Sequence, residues 1–221
     1  MFNLLFVDTE TTGIPKDYQA PVTDLKNWPR MVQIAWQQFD STGRRLAAAD
    51  HIIKPDGFTI PADAAKIHRI TTERARREGR ELAAVLDDFA RLVSSSRCLV
   101  AHNVSFDEKI IGAELLRAKS RCRLDGLTRV CTMKMSAAYC GLPGRYGPKW
   151  PKLGELHQRL FREVFEEAHD AGVDLKATVQ CFWELLRRGV ITPEALGGGP
   201  GPVGASLREA TSASPAAELR G

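Results

Sequence analysis

A chain of 221 residues, 43% hydrophobic and 26% charged, has the composition of a folded globular protein and is long enough to bury a substantial core without disulfides or metals. No uncharged apolar run approaches the ~18 residues of a membrane span, and residues 1–7 lack a basic flank and run into Asp8, so they do not read as a signal peptide. The formal net charge is +4, yet residues 109–152 hold ten basic side chains against two acidic ones, an excess that suits either a polyanionic partner or a solvated surface.

Residues 3–7 (NLLFV) are too short an apolar run for a helix and read as a buried strand. Residues 13–29 hold three prolines with Asp17, Asp24 and Asn27, which makes a long loop. Residues 31–39 alternate Val32, Ile34 and Trp36 against Gln33 and Gln37, turn at 41–43 and resume an extended pattern over 44–53, predicting an antiparallel hairpin. Thr71, Thr72 and Glu73 open a short helix, and residues 81–93 space Leu82, Val85, Leu86, Phe89, Leu92 and Val93 for another. A brief strand at 98–101 leads into a helix over 104–119, with Ser105 and Glu108 at capping-box spacing. A fifth strand over 127–132 and helices over 152–161 and 171–188 follow. Residues 197–204 are seven Gly or Pro out of eight, so a domain is expected over residues 1–190 and a disordered tail over 191–221. Strands first and helices interleaved later indicate an α/β fold with a mixed sheet. Five cysteines, an odd number without a Cys-x-x-Cys pair, argue against a disulfide framework or a zinc site and for a reducing cytoplasm.

Asp8 and Glu10 stand two residues apart at the end of the first strand, so in extended chain their carboxylates share a face. Like charges there repel unless a cation lies between them, and hard oxygen ligands suit magnesium or manganese rather than zinc. A pair of acids capping the loop at Thr11, Thr12 and Gly13 is the other reading. Asp107 falls in the first turn of the helix after the fourth strand, where the helix dipole alone favours it. If that strand neighbours the first, Asp107 also reaches the sheet edge of Asp8. With Asp170 as N-cap of the last helix, His169 is N′ and Asp174 is N4, the two positions that meet in a hydrophobic staple. Here they bring an imidazole to a carboxylate, unless His169 is a plain surface histidine.

DTETTG (8–13), HNVSFD (102–107) and HDAGVD (169–174), in that order and spacing, resemble the three motifs of the DEDD exonuclease superfamily. The His-x-x-x-x-Asp form of the third is similar to the DEDDh (DnaQ-like) 3′–5′ exonucleases, the group of the polymerase III proofreading epsilon subunit and ribonuclease T. MVQIAW (31–36) and KIHRIT (66–71) resemble two intermediate signatures of the same family. The resemblance implies a ribonuclease-H-like fold: a five-stranded mixed sheet, its second strand antiparallel, flanked by helices. It also implies hydrolysis of phosphodiester bonds at nucleic-acid 3′ ends with two Mg2+ ions, for which Mn2+ substitutes. Asp8, Glu10, Asp107 and Asp174 would be the metal ligands and His169 the general base. Thr9, Thr11, Gly13 and Ile14 would meet the terminal nucleotide, with His68 and Asn103 lining the same pocket. The expected partner is nucleic acid with a free 3′ end, DNA before RNA, and a polymerase or replication complex is a further one; no membrane is implied. An RNA-directed 3′ exonuclease and a catalytically silent nucleic-acid-binding or adaptor module are the alternatives.

Two departures from the family pattern stand out. The 13–29 loop is longer than in compact members, and Gly172 stands where a larger residue is common, which predicts a looser first turn beside His169. Residues 145–153 (RYGPKWPKL) carry Lys149, Trp150 and Lys152, suited to phosphate contact and base stacking; Trp150 as core filler is the other reading.

Overall fold

The structure is a computed structural model and describes residues 2–165 and 169–197. Five strands, β1 (Asn3–Thr11), β2 (Met31–Asp40), β3 (Arg45–Ile52), β4 (Ser96–Ala101) and β5 (Thr128–Cys131), form one sheet in the order β3-β2-β1-β4-β5. The β2 strand runs antiparallel to β1 and β3, whereas β1, β4 and β5 are parallel neighbours. The mixed sheet with a reversed second strand is therefore present as expected. Helices α1 (Ala62–His68), α2 (Thr72–Glu78), α3 (Leu82–Ser95), α4 (Val104–Arg117), α5 (Thr132–Met135), α6 (Ala137–Cys140), α7 (Leu153–Phe161) and α8 (Ala171–Arg187) flank it, and a 3-10 turn follows at Pro193–Leu196. No helix among the described residues is long and apolar enough to cross a membrane.

Both faces of β1 are covered, which is why its apolar residues run unbroken instead of alternating with polar ones. Leu4 and Phe6 pack with Leu175, Phe182 and Leu185 of α8. Leu5 and Val7 pack on the opposite face with Val85 and Phe89 of α3 and Ile110 and Ile111 of α4. The strand continues through residues 8–11, past its expected end at Val7, because β2 pairs Asp8 with Ala35, Thr9 with Ile34 and Glu10 with Gln33. Backbone pairing thus holds polar residues extended where the local apolar signal stops.

Two other expectations are corrected. Ser105 and Glu108 do not form a capping box: Asn103 is the N-cap of α4 in the left-handed region (φ 78), and the Ser105 hydroxyl donates to Asn103 Oδ1 at 3.1 Å. Glu108 instead accepts from Arg129 Nε at 3.0 Å. The structure adds the short helices α1, α5 and α6. The packed domain also runs beyond residue 190, since Ile191 and Leu196 are fully buried with Cys98 and Leu185. From residue 198 onward the expected tail lies outside the described residues.

The long 13–29 loop is pinned to α4. Glu114 Oε1 accepts from Arg30 Nε at 2.8 Å, the Met31 backbone N–H at 3.0 Å and Arg117 at 3.1 Å. Arg117 also donates to the carbonyls of Leu25 and Trp28, each at 2.7 Å, and Lys109 Nζ donates to that of Ala20 at 2.9 Å. Glu114 is fully buried, so its removal takes the carboxylate from two guanidinium groups and the acceptor from a backbone donor. We expect Glu114→Ala to cost about 3–5 kcal/mol and to expose the 13–29 loop to protease before the rest of the chain. Urea unfolding with limited proteolysis checks this; a wild-type midpoint and cleavage pattern would refute it.

Candidate active site

Residues alternate across β1, so Asp8 and Glu10 stand on the face of Leu4 and Phe6, towards α8. The parallel pairing with β4 ends at Phe6 and Val100. Residues 8–11 therefore extend beyond that neighbour, and the first turn of α4 comes alongside them. The left-handed backbone of Asn103, a conformation that asparagine tolerates, makes the tight turn from β4 into α4. Buried Asp107 then accepts a 2.8 Å hydrogen bond from the Thr9 hydroxyl.

The other half of the site comes from the start of α8. Asp170 caps the helix, accepting from the N–H groups of Gly172 at 3.1 Å and Val173 at 3.2 Å. His169 lies just outside, exposed and in the left-handed region (φ 47). That backbone turn costs about 1–2 kcal/mol in a residue with a Cβ and returns the imidazole over the helix end. Ligand atoms of Glu10, His169 and Asp174 all lie within 4.8 Å of one another, so the N′–N4 geometry read from the sequence is realised. Asp107 is near enough to act on Glu10 electrostatically, and Asp8 lies two residues back on Glu10's face. Both stand outside the tightest group. Of the hydroxyls in the loop-capping alternative, Thr11 donates to the Gly13 carbonyl at 2.6 Å, and Thr12 accepts from the Arg30 N–H at 3.0 Å.

A polar row that the sequence reading did not single out sets the height of α8 over the sheet. Gln33, opposite Glu10, accepts from the Ala171 N–H at 3.2 Å and donates to Asp50 Oδ1 of β3 at 2.8 Å. Asp50 in turn occupies the space beside Gly172, where an added Cβ would overlap its Oδ2 and lie 3.0 Å from its Cγ. Gly172 is thus a close-approach glycine, and the first turn it was expected to loosen is held by Gln33 and by the Asp170 cap. The available signal was the polar Gln33 on a strand buried along its whole length; its partners are 17 and 138 residues away.

The remaining predicted residues surround this centre in different ways. His68 is buried, and its Nδ1 accepts from the Ile70 N–H at 3.2 Å. Burial lowers its pKa first, and the charge of His169 adds to the effect. Gly13 has φ 148, a backbone that L side chains rarely adopt. Ile14 beside it is 75% exposed, an apolar side chain open to a planar ligand.

Burial pushes the Glu10 carboxyl up to about 8, and the charges of Asp174, Asp107 and Asp170 add to the shift. Burial likewise pushes Asp107 up to about 7, with the Thr9 hydrogen bond opposing it. Carboxyls that retain protons near neutrality for want of a counter-charge are a donor set made for a divalent cation. Their oxygens, with one imidazole, fit magnesium or manganese.

The RNase T family model, described as an exonuclease, matches residues 5–182. The chain belongs to the DnaQ-like 3′–5′ exonuclease family. Its members are hydrolases, and metal dependence is typical of them. The exonuclease chain is 28% identical over 185 residues to the DNA polymerase III subunit epsilon of Treponema pallidum (strain Nichols), covering 81% of this chain and 74% of that one. It is 30% identical over 193 residues to an uncharacterized exonuclease, CP81, of Escherichia phage 186, covering 84% and 89%. E. coli Exonuclease I bound to a dT13 oligonucleotide shares the fold, with TM-score 0.65, 23% identity and 85% of this chain covered. A zinc-bound Exonuclease I–ssDNA complex superposes with TM-score 0.66 at 23% identity, covering 89%. This chain spans less than half of those Exonuclease I chains, 41% and 42%.

Two outcomes follow for the exonuclease. In the unfolded chain both acids ionise near 4, while in the folded chain without metal they keep protons to about 7 and 8. The folded state then binds more protons than the unfolded one between about pH 4 and 8, so stability falls as pH rises through that window. The melting temperature of EDTA-treated protein should drop from pH 5 to pH 8, and the rise on adding Mg2+ should be larger at pH 8; a flat profile with a constant Mg2+ effect would contradict this. Gly172→Ala should displace Asp50 at a cost on the order of 1–3 kcal/mol. In an Asp50→Ala background the same change should instead stabilise by about 1 kcal/mol through helix propensity. Thermal unfolding of the four proteins decides, and an equal effect in both backgrounds would clear Asp50 of the role.

Proposed function

We propose that this protein hydrolyses single-stranded DNA from its 3′ end, with two divalent cations held by Asp8, Glu10, Asp107 and Asp174 and with His169 as general base. The observation that carries the reading is the approach of Glu10, His169 and Asp174 to within 4.8 Å, in a site where burial holds protons on Glu10 and Asp107 that a positive charge would displace. Bound cations would supply that charge and stabilise the negative charge that develops on the phosphate.

The chain's own groups do the rest. His169, on the solvent side of the cap, takes a proton from water as its oxygen attacks the terminal phosphorus. The P–O3′ bond breaks, leaving a 3′ hydroxyl on the shortened strand and releasing a nucleotide. Histidine suits this because its charge changes within the physiological range. Asp174 stands beside the imidazole. Exposed Ile14 and the turn at Gly13 present a surface for the terminal base, with His68 and Asn103 on the flanks. The epsilon relative, a DNA polymerase subunit, supports DNA as substrate and a polymerase as partner.

A panel of 3′-labelled single-stranded DNA, duplex DNA and RNA, incubated with Mg2+, Mn2+ or EDTA, tests the reading. Asp8→Ala and Asp174→Ala should abolish turnover and keep the fold by circular dichroism. His169→Ala should lower kcat by about 10²–10⁴ and remove the acidic limb of the pH–rate profile. Full activity of Asp8→Ala would end the metal assignment, and an unchanged pH profile in His169→Ala would end the base assignment.

A further inference from the structure

Residues 141–152, between α6 and α7, take no part in the chemistry above. Yet they carry the two most exposed aromatic side chains among the described residues, Tyr146 at 91% and Trp150 at 58%. Trp150 is therefore not core filler. Each ring has a cation against it: the Arg145 guanidinium lies 5.2 Å from the Tyr146 centroid and Lys134 Nζ 5.2 Å from that of Trp150. No acidic residue occurs between Asp125 and Glu155.

The segment is also a built loop. The Lys149 N–H closes it onto the Leu142 carbonyl at 2.9 Å, and Lys149 Nζ and the Lys152 N–H reach Glu155 at 2.7 and 2.8 Å. Its far end is tied to the site, because the Pro151 carbonyl lies 3.0 Å from His102 Nε2, and His102 opens the HNVSFD segment that carries Asp107. The basic excess of residues 109–152 divides accordingly. Lys109, Arg117 and Arg129 bind the protein's own carbonyls and carboxylates, while Lys134 and Arg145 line the exposed rings.

We propose that Tyr146 and Trp150 form a stacking platform for the unpaired nucleotides on the 5′ side of the terminal one, with Arg145, Lys134 and Lys152 meeting the phosphates between them. This rests on the exonuclease reading and gives it a substrate form: a single strand several nucleotides long. Every base offers a π-face, so the platform is tolerant of sequence. Bases inside a duplex are already stacked on one another and cannot use it.

The test compares (dT)12 with the dinucleotide dTdT, which offers the platform a single nucleotide 5′ of the terminal one. For Tyr146→Ala/Trp150→Ala, KM for (dT)12 should rise about 5- to 150-fold, the range for losing one stacked base, with kcat held. The advantage of the long substrate in kcat/KM should disappear, and Trp150→Phe should restore most of it. An unchanged KM, or an equal loss on both lengths, overturns the platform, as does an equal loss on blunt duplex. If the wild type degrades nothing, the exonuclease reading has failed, and fluorescence anisotropy with labelled (dT)12 still judges the platform. The double variant should then bind 5- to 150-fold more weakly, and equal affinity refutes it.

Discussion

Burial of carboxyls at one strand end is the constraint around which the site is arranged. Glu10 and Asp107 are drawn from opposite sides of one strand end, and burial holds protons on both near neutral pH. An ordinary core does not tolerate such a group of acids, since removing charge from water without a partner is costly. The fold bears the cost by placing the carboxyls where β1 outruns β4, at the carboxyl end of the parallel strands, where open α/β sheets gather their ligands. Their unmet charge is what gives the site its appetite for a cation.

The surrounding polar groups show how that site is kept in position. Gln33 joins three strands' worth of chemistry to the first turn of α8: it faces Glu10 across the pair, donates to Asp50 and accepts from Ala171. Glu114 does the same on the other face for α4 and the 13–29 loop. Neither residue belongs to the group around His169, yet each fixes a helix that presents a carboxylate to the site, Asp174 in one case and Asp107 in the other. Gly172 belongs with them. Its missing side chain is the room that Asp50 occupies.

The fold and the family speak to different levels of the function. The sheet order and the match over residues 5–182 establish a DnaQ-like exonuclease domain. Resemblance to Exonuclease I, at 23% identity and over less than half of that chain, extends to the architecture alone. The loop of residues 141–152 adds two exposed rings, each with a cation against it.

Much of this was legible in the amino-acid sequence because the relevant geometry is local. Residues two apart in a strand share a face, so Asp8 and Glu10 could be paired by inspection. A histidine at N′ and an acid at N4 meet on any capped helix, so His169 and Asp174 could be as well. The strands followed from short apolar runs and alternation, and the long helices from helical spacing. Tertiary structure alone decided that β1 stays extended to Thr11, that Asn103 rather than Ser105 caps α4, that Glu108 turns to Arg129, and that Gln33 and Asp50 clamp α8. It also decided that Trp150 faces solvent and that the core reaches Leu196. The reason is one of range: local rules act over a few residues of chain, whereas register, burial and the partner of a charged side chain are set by groups tens to more than a hundred residues away.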